Sequence, residues 1–327
     1  MEGTIHMRVL IAGASGAVGS RLVPVLVAAG HEVVGTSRSA EHLAPIEAAG
    51  ARGVVMDGLD AASVRRAVLN AHPDVIVHQL TALSGQVGDM NFDKSFAATN
   101  ELRTRGTDHL LAAAAEAGVG RFIAQSYAGW PSERTGGPVK TEEAPFDQNP
   151  TKASRETLAG IRHVEQRTTD AGGLALRYGN LYGPGNAIGR GGEVIEMVKG
   201  RKLPVVGGGT GVWSFCHVDD AASAAAVAVT GGAPGVYNIV DDDPAPMSEW
   251  LPELARVVGA KAPLRIPAWM ARPLIGEHGV SMMTQVRGAS NAKAKRELAW
   301  TPKWPTWREG FAALAAADPP ASLRAVA

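Results

Sequence analysis

Residues Val9 to Gly19 read Val-Leu-Ile-Ala-Gly-Ala-Ser-Gly-Ala-Val-Gly. The apolar run stops at Gly13, and glycines recur at Gly16 and Gly19. Such a run, bounded by a turn signal, is a buried parallel strand. Gly13 allows a tight turn and Gly16 lets backbone N–H groups approach a pyrophosphate. Gly19 lets the following helix pack on the strand. That helix, beginning amphipathically at Arg21, points its positive end at the phosphates. A second strand follows at Glu32–Gly35, so the loop Gly13, Ser15, Gly16, Ala17, Val18, Gly19 is expected to cradle a dinucleotide.

The bulk properties are those of a soluble globular protein. The chain has 327 residues, 45% hydrophobic and 20% charged, with a formal net charge of +0. Neither nucleic acid nor an acidic membrane is favoured by that balance. The single cysteine, Cys216, excludes an internal disulfide framework and a multi-cysteine metal site, and no metal is expected. No apolar run reaches the roughly 18 residues of a membrane span. Met1–His6 lack the apolar core of a signal peptide, with Met7 as an alternative start, and a cytoplasmic setting is expected.

Short apolar runs alternate with helical stretches. Strands are expected at Val9–Ala12, Glu32–Gly35, Gly53–Met56, Val75–His78, Arg121–Gln125 and Leu174–Arg177. Helices are expected at Asn100–Ala117, closing at Gly118, and from about Arg155 to Ala171. Alternation of this kind gives an α/β fold, a Rossmann-type doubly wound parallel sheet. After Gly183-Pro184-Gly185 the texture changes to glycine clusters and short elements. The expected division is a dinucleotide-binding domain over 7–183 and a smaller C-terminal substrate lobe over 184–317. A stretch near 212–240 is expected to return to the sheet. The tail after Ala317 reads as frayed.

The end of the second strand decides how the adenosine ribose is read. It carries Thr36-Ser37-Arg38 and no carboxylate before Glu41. An acidic residue accepts a 2′-OH, whereas a guanidinium and small hydroxyls grip a 2′-phosphate. NADP is therefore favoured over NAD. Asp57-Gly58 ends the third strand, where a carboxylate accepts from the adenine amino group or caps a helix. Leu80-Thr81-Ala82 ends the fourth strand under the pyrophosphate and nicotinamide ribose. Asn100 orients that loop or caps the next helix.

These residues resemble those of the extended short-chain dehydrogenase/reductases, the NAD-dependent epimerase/dehydratase family, over Met7 to Phe311. The resemblance rests on the glycine pattern, on Asp57 and on Asp74-Val-Ile-Val-His78. Leu176-Arg-Tyr178-Gly-Asn180-Leu181-Tyr-Gly-Pro-Gly185 is similar to the loop bordering the nicotinamide. Phe215-Cys-His-Val-Asp-Asp220 and Gly235-Val-Tyr-Asn-Ile239 match later motifs. The resemblance implies a bound NAD(P), with Gln125, Tyr178, Asn180 and Leu181 beside it, and a possible homodimer through the two long helices.

One motif of that family is missing. Its chemistry rests on Tyr-x-x-x-Lys, the lysine cation lowering the phenol pKa. Counting back from Val164-Glu-Gln166 puts Thr157 at the tyrosine position and Ile161 at the lysine position. No tyrosine lies between Tyr127 and Tyr178. After the fifth strand stands Gln125-Ser126-Tyr127. Tyr127 is the candidate proton donor, without an adjacent cation, and Ser126 its candidate hydrogen-bonding support; alternatively Tyr127 packs with Trp130 as a pocket floor. His78 and His217 read as structural, and Glu142-Glu143 as solvated in a rim loop. The expected function is an atypical NAD(P)-dependent oxidoreductase reducing a carbonyl or activated double bond of a small molecule. A sugar-nucleotide epimerase or dehydratase, and a non-redox dinucleotide-binding protein, are the alternatives.

Overall fold

A computed structural model describes residues 6–83 and 92–316. Seven strands form one parallel sheet: β1 Arg8–Ala12, β2 Glu32–Ser37, β3 Arg52–Val55, β4 Val75–His78, β5 Arg121–Tyr127, β6 Leu174–Tyr178 and β7 Gly235–Ile239. Their order is β7-β6-β5-β4-β1-β2-β3, with β1 at the point where the order reverses. In such sheets the ligand crevice lies outside the strand C-termini at that switch point.

Helices cover both faces: α1 Gly19–Ala28, α2 Ala61–Ala71, α3 Thr107–Ala117, α4 Arg155–Asp170 and α5 Val218–Thr230. Strand side chains alternate between them. Val9 and Ile11 pack with Leu22 and Leu26 of α1 and Ala221 and Ala225 of α5. Leu10 and Ala12 pack with Val64 and Val68 of α2 and Leu110 and Ala113 of α3. Each fully buried aliphatic side chain contributes roughly 1.5–3 kcal/mol. The alanines of α5 let that helix approach α1 closely, and so are packing rather than low complexity.

Several elements differ from the sequence expectation; β2, for one, runs two residues further, to Ser37. The helix expected from Asn100 begins at Ala97 and is interrupted by a π turn at Leu102–Gly106 before α3. Gly118 closes it in the left-handed region, φ 68°, as glycine permits. Strand β5 runs two residues further than expected, so Ser126 and Tyr127 are strand residues on opposite faces. Glu142 is not simply solvated: its Oε1 accepts from the Asn238 backbone N–H at 2.7 Å, tying the rim loop to β7.

Late segments build a second core around Tyr182, Ile195, Val205, Phe215, Trp250, Leu251, Trp307 and Phe311. Between them the chain returns to the sheet through α5 and β7. The short strand Phe215–His217 pairs with Asn180–Tyr182 and joins the two cores. No helix among the described residues is long and apolar enough to cross a membrane. The tail expected to fray after Ala317 lies outside the described residues.

Candidate active site

The glycine loop has the geometry its spacing predicts. Gly13 sits at φ +91°, and a Cβ there would stand 2.8 Å from the Gln79 carbonyl oxygen. A Cβ on Gly19 would collide with the Gly13 carbonyl, so the loop closes only with glycine at both ends. Gly16 is different: it is exposed, and only the Gly13 oxygen comes near a Cβ placed on it, at 3.3 Å. The space above Gly16 is thus available to a phosphate. Ser15 and Ala17 flank it, also exposed, while Val18 is buried and precedes α1 without a side-chain cap. The first N–H groups of α1 are free of a competing side chain, as an anion-binding helix end requires.

The end of β2 holds this loop. Thr36 Oγ1 accepts from the Gly13 N–H at 3.3 Å, and the Thr36 carbonyl accepts from the Ala14 N–H at 2.9 Å. Ser37 is buried and its hydroxyl accepts from Ser15 Oγ at 3.3 Å. Arg38 is exposed. Asp57 Oδ1 accepts from the Leu59 N–H at 2.9 Å, while Asp60 caps α2. Gly58 lies under Leu80, whose Cδ1 would stand 2.6 Å from a Cβ. The Leu80 carbonyl accepts from Gln125 Nε2 at 3.3 Å, Thr81 is exposed, and the Ala82 N–H donates to Thr99 Oγ1 at 3.0 Å.

At the opposite end of the crevice, Tyr127 donates its hydroxyl proton to Asn180 Oδ1 at 2.7 Å. Asn180 Nδ2 donates in turn to the Ser214 carbonyl at 2.9 Å. Burial pushes the Tyr127 phenol well above its ordinary value. Leu181 is half-buried against the sheet core. Tyr178 is 2% exposed, with its hydroxyl accepting from Gln79 Nε2 at 3.0 Å and its ring packed in the sheet core.

Ser126 does not support Tyr127. Because it faces the other side of β5, its hydroxyl donates to Glu165 Oε1 at 2.5 Å. Glu165 also receives Arg177 Nε and Nη2, both at 2.7 Å, in a buried fork. Nor is Tyr127 without a nearby cation. The Arg103 guanidinium, on the π turn, acts on the phenol electrostatically and pulls its pKa down against burial. Nothing in the sequence around Arg103 announces this, because the π turn alone swings it inward.

Thr157 and Ile161, where counting puts the pair, are both engaged. Asp93 Oδ1 accepts from the Thr157 N–H at 2.8 Å and from Thr157 Oγ1 at 2.7 Å, and Asn100 Nδ2 donates to Thr157 Oγ1 at 3.0 Å. Ile161 is fully buried with Trp130, Leu158 and Val286, against Tyr127, Phe92, Phe146 and Trp213. Helix α4 carries neither tyrosine nor lysine. His78 is satisfied by Thr107 Oγ1 at 3.1 Å and by the Leu80 N–H at 3.2 Å. His217 Nδ1 accepts from the Asp219 N–H at 3.2 Å and caps α5.

Residues 9–240 match the model of the NAD-dependent epimerase/dehydratase family. A 3-diazoavenalumate denitrifying reductase from a Streptomyces species is 43% identical, covering 93% of this chain and 99% of its own. A 2-alkyl-3-oxoalkanoate reductase from Stenotrophomonas maltophilia is 29% identical, over 78% and 76% of the two chains. Among solved structures, a UDP-glucose 4-epimerase from Thermotoga maritima superposes with a TM-score of 0.74 at 20% identity, over 95% of this chain and 98% of the other. That likeness is one of fold. The chain belongs to the NAD-dependent epimerase/dehydratase family, and within it is an oxidoreductase that depends on a nicotinamide dinucleotide.

Proposed function

We propose that the protein is an NADPH-dependent reductase that replaces the diazo group of an aromatic compound by hydrogen, releasing dinitrogen. The observation that carries this reading is that α4 holds neither tyrosine nor lysine, with its Thr157 committed to Asp93 and Asn100 and its Ile161 buried. Carbonyl reduction needs a proton for the developing alkoxide. A diazonium group already carries the positive charge that a hydride cancels. When bound, the reduced nicotinamide supplies that hydride. The carbon–nitrogen bond breaks, a carbon–hydrogen bond forms and dinitrogen leaves, with no net proton taken from the protein. The 43% identical relative is named for a denitrifying reduction of a diazo compound. Its name and the proton-poor site support the same chemistry.

Chain residues then bind and shield rather than transfer protons. Gly13, Gly16 and the first turn of α1 hold the pyrophosphate. Arg38, beside Ser37, takes the adenosine 2′-phosphate, and the missing carboxylate at the end of β2 removes the repulsion NADP would meet. Tyr127 belongs to a cluster with Trp130, Trp213 and Phe92, apolar surface that would shield the reacting end from water. Partners beyond a small-molecule substrate are not part of this reading, though a homodimer through the two long helices remains compatible with it.

The test is incubation with NADPH deuterated at the transferring position and an arenediazonium salt. Expected are loss of NADPH absorbance, evolved nitrogen and deuterium on the arene carbon. Turnover of ketones or enones with no diazonium reduction overturns the reading. Arg38→Asp is expected to invert the preference between NADPH and NADH.

A second reading is favoured by the electrostatic link between Arg103 and Tyr127. There Tyr127 donates a proton during carbonyl reduction, with the cation stabilising the phenolate. Tyr127→Phe separates the two: ketone reduction collapses under the second reading, whereas diazonium reduction survives under the first.

A further inference from the structure

Arg103 is the one residue of the π turn whose charge is enclosed. The turn closes with the Thr107 N–H on the Leu102 carbonyl, a five-residue ring. Such turns are rare and concentrate at functional sites. Arg103 is 8% exposed, and its Nη1 is buried with no acceptor. Among the described residues its guanidinium makes no hydrogen bond.

The neighbouring anion is already used. Glu165 receives the Arg177 fork and the Ser126 hydroxyl, which occupy both its oxygens. Tyr127 holds its own proton against Asn180. Burial lowers the Arg103 pKa to about 10, with Tyr127 and Glu165 opposing the fall, so it is a cation at neutral pH. A buried cation without a hydrogen-bonded anion is costly. A ligand carboxylate would remove that cost, because its two oxygens match the planar donor edge of a guanidinium. Tyr127, on which the Arg103 charge acts, belongs to one cluster with Trp130 and Phe92, aromatic surface of the kind that packs the ring that would bear that carboxylate.

We propose that Arg103 is the substrate anchor, binding the carboxylate of an anionic aromatic substrate against the Tyr127–Trp130–Phe92 cluster. The inference rests on the reading of the protein as a reductase of aromatic diazo compounds. It adds which residue holds the substrate's carboxylate.

The experiment compares the NADPH-loaded protein on para-carboxybenzenediazonium and on its methyl ester. A charge-assisted pair predicts a kcat/KM preference for the acid of about ten- to a hundredfold. Arg103→Gln is expected to lower kcat/KM for the acid far more than for the ester, through KM, and Arg103→Lys to retain part of the preference. Equal rates on acid and ester in the wild type, an equal loss on both in Arg103→Gln, or a loss of NADPH affinity overturns the anchor and leaves the diazo reading standing. If neither compound is reduced, the diazo reading fails. The anchor is then judged by calorimetric titration of the NADP-loaded protein with benzoate: weaker binding to Arg103→Gln than to wild type supports it, and equal or no binding overturns it. Should Arg103→Gln not fold, Arg103→Lys carries the same comparisons.

Discussion

The ring of Tyr127 lies directly on the backbone of Gly129: a Cβ built on Gly129 would overlap the phenol oxygen and Cζ. The absence of one methyl group thereby sets the direction of the Tyr127 hydroxyl toward Asn180. Gly129→Ala is expected to push the ring off Asn180, at a cost of about 1–3 kcal/mol from overpacking. Thermal unfolding measures the cost. A variant with wild-type stability would show that the ring has room to move.

The three glycines of the first loop separate structural from binding roles. Gly16→Ala meets only the Gly13 oxygen, at 3.3 Å. It is expected to keep the melting temperature within a few degrees while weakening dinucleotide binding by about tenfold, 1.4 kcal/mol. Gly19→Ala collides with the loop backbone and is expected to lower stability itself. Parallel melting curves and cofactor titrations of the two variants check the split. Equal destabilisation would mean that the Gly16 space is not open.

The sheet and its first loop were legible because they depend on local signals. Apolar runs of four or five residues, a positive-φ glycine and regular helical spacing each act over a few positions. The absence of tyrosine and lysine from α4 was also legible, since it is read directly from the sequence. Other contacts were not. Ser126 and Tyr127 are neighbours in sequence, yet the two extra residues of strand put them on opposite faces. Tyr178 turns its ring into the core to meet Gln79, 99 positions away. Arg103 is brought inward by a π turn, which has no sequence period of its own. Glu142 reaches Asn238 across 96 positions. Long-range pairings of single polar atoms leave no periodic trace.

The buried Glu165–Arg177 pair ties α4 to β6, with Ser126 of β5 as its third member. Glu165→Ala leaves Arg177 enclosed without its anion, and a loss of about 3–5 kcal/mol is expected. Ser126→Ala removes one hydrogen bond to a charged group and is expected to cost about 1.5–3 kcal/mol. Chemical denaturation of both variants checks the order. Because Ser126 faces away from Tyr127, Ser126→Ala is expected to change stability and not the response of the reaction to pH. A shifted pH–rate profile in that variant would return Ser126 to the reacting end of the site.

Buried titrating groups set opposite slopes on stability at the two ends of the pH scale. His78 and His278 are held near 4, below their ordinary 6.5, because burial disfavours the imidazolium. From pH 6.5 down to about 4 the unfolded chain binds protons that the folded chain does not, so their contribution is lost as pH falls. Asp241 behaves in the opposite sense. Burial raises its carboxyl from 3.8 to about 8. Between those values the folded chain keeps a proton that the unfolded chain has released, so stability declines as pH rises toward 8 and is flat in this term above it. Asp241→Asn removes the ionisation while keeping the shape. It is expected to flatten the decline between pH 6 and 8, so that the variant gains on the wild type as pH rises. Denaturant midpoints at three pH values in that window are the measurement. An unchanged slope in Asp241→Asn would assign the alkaline decline to another group.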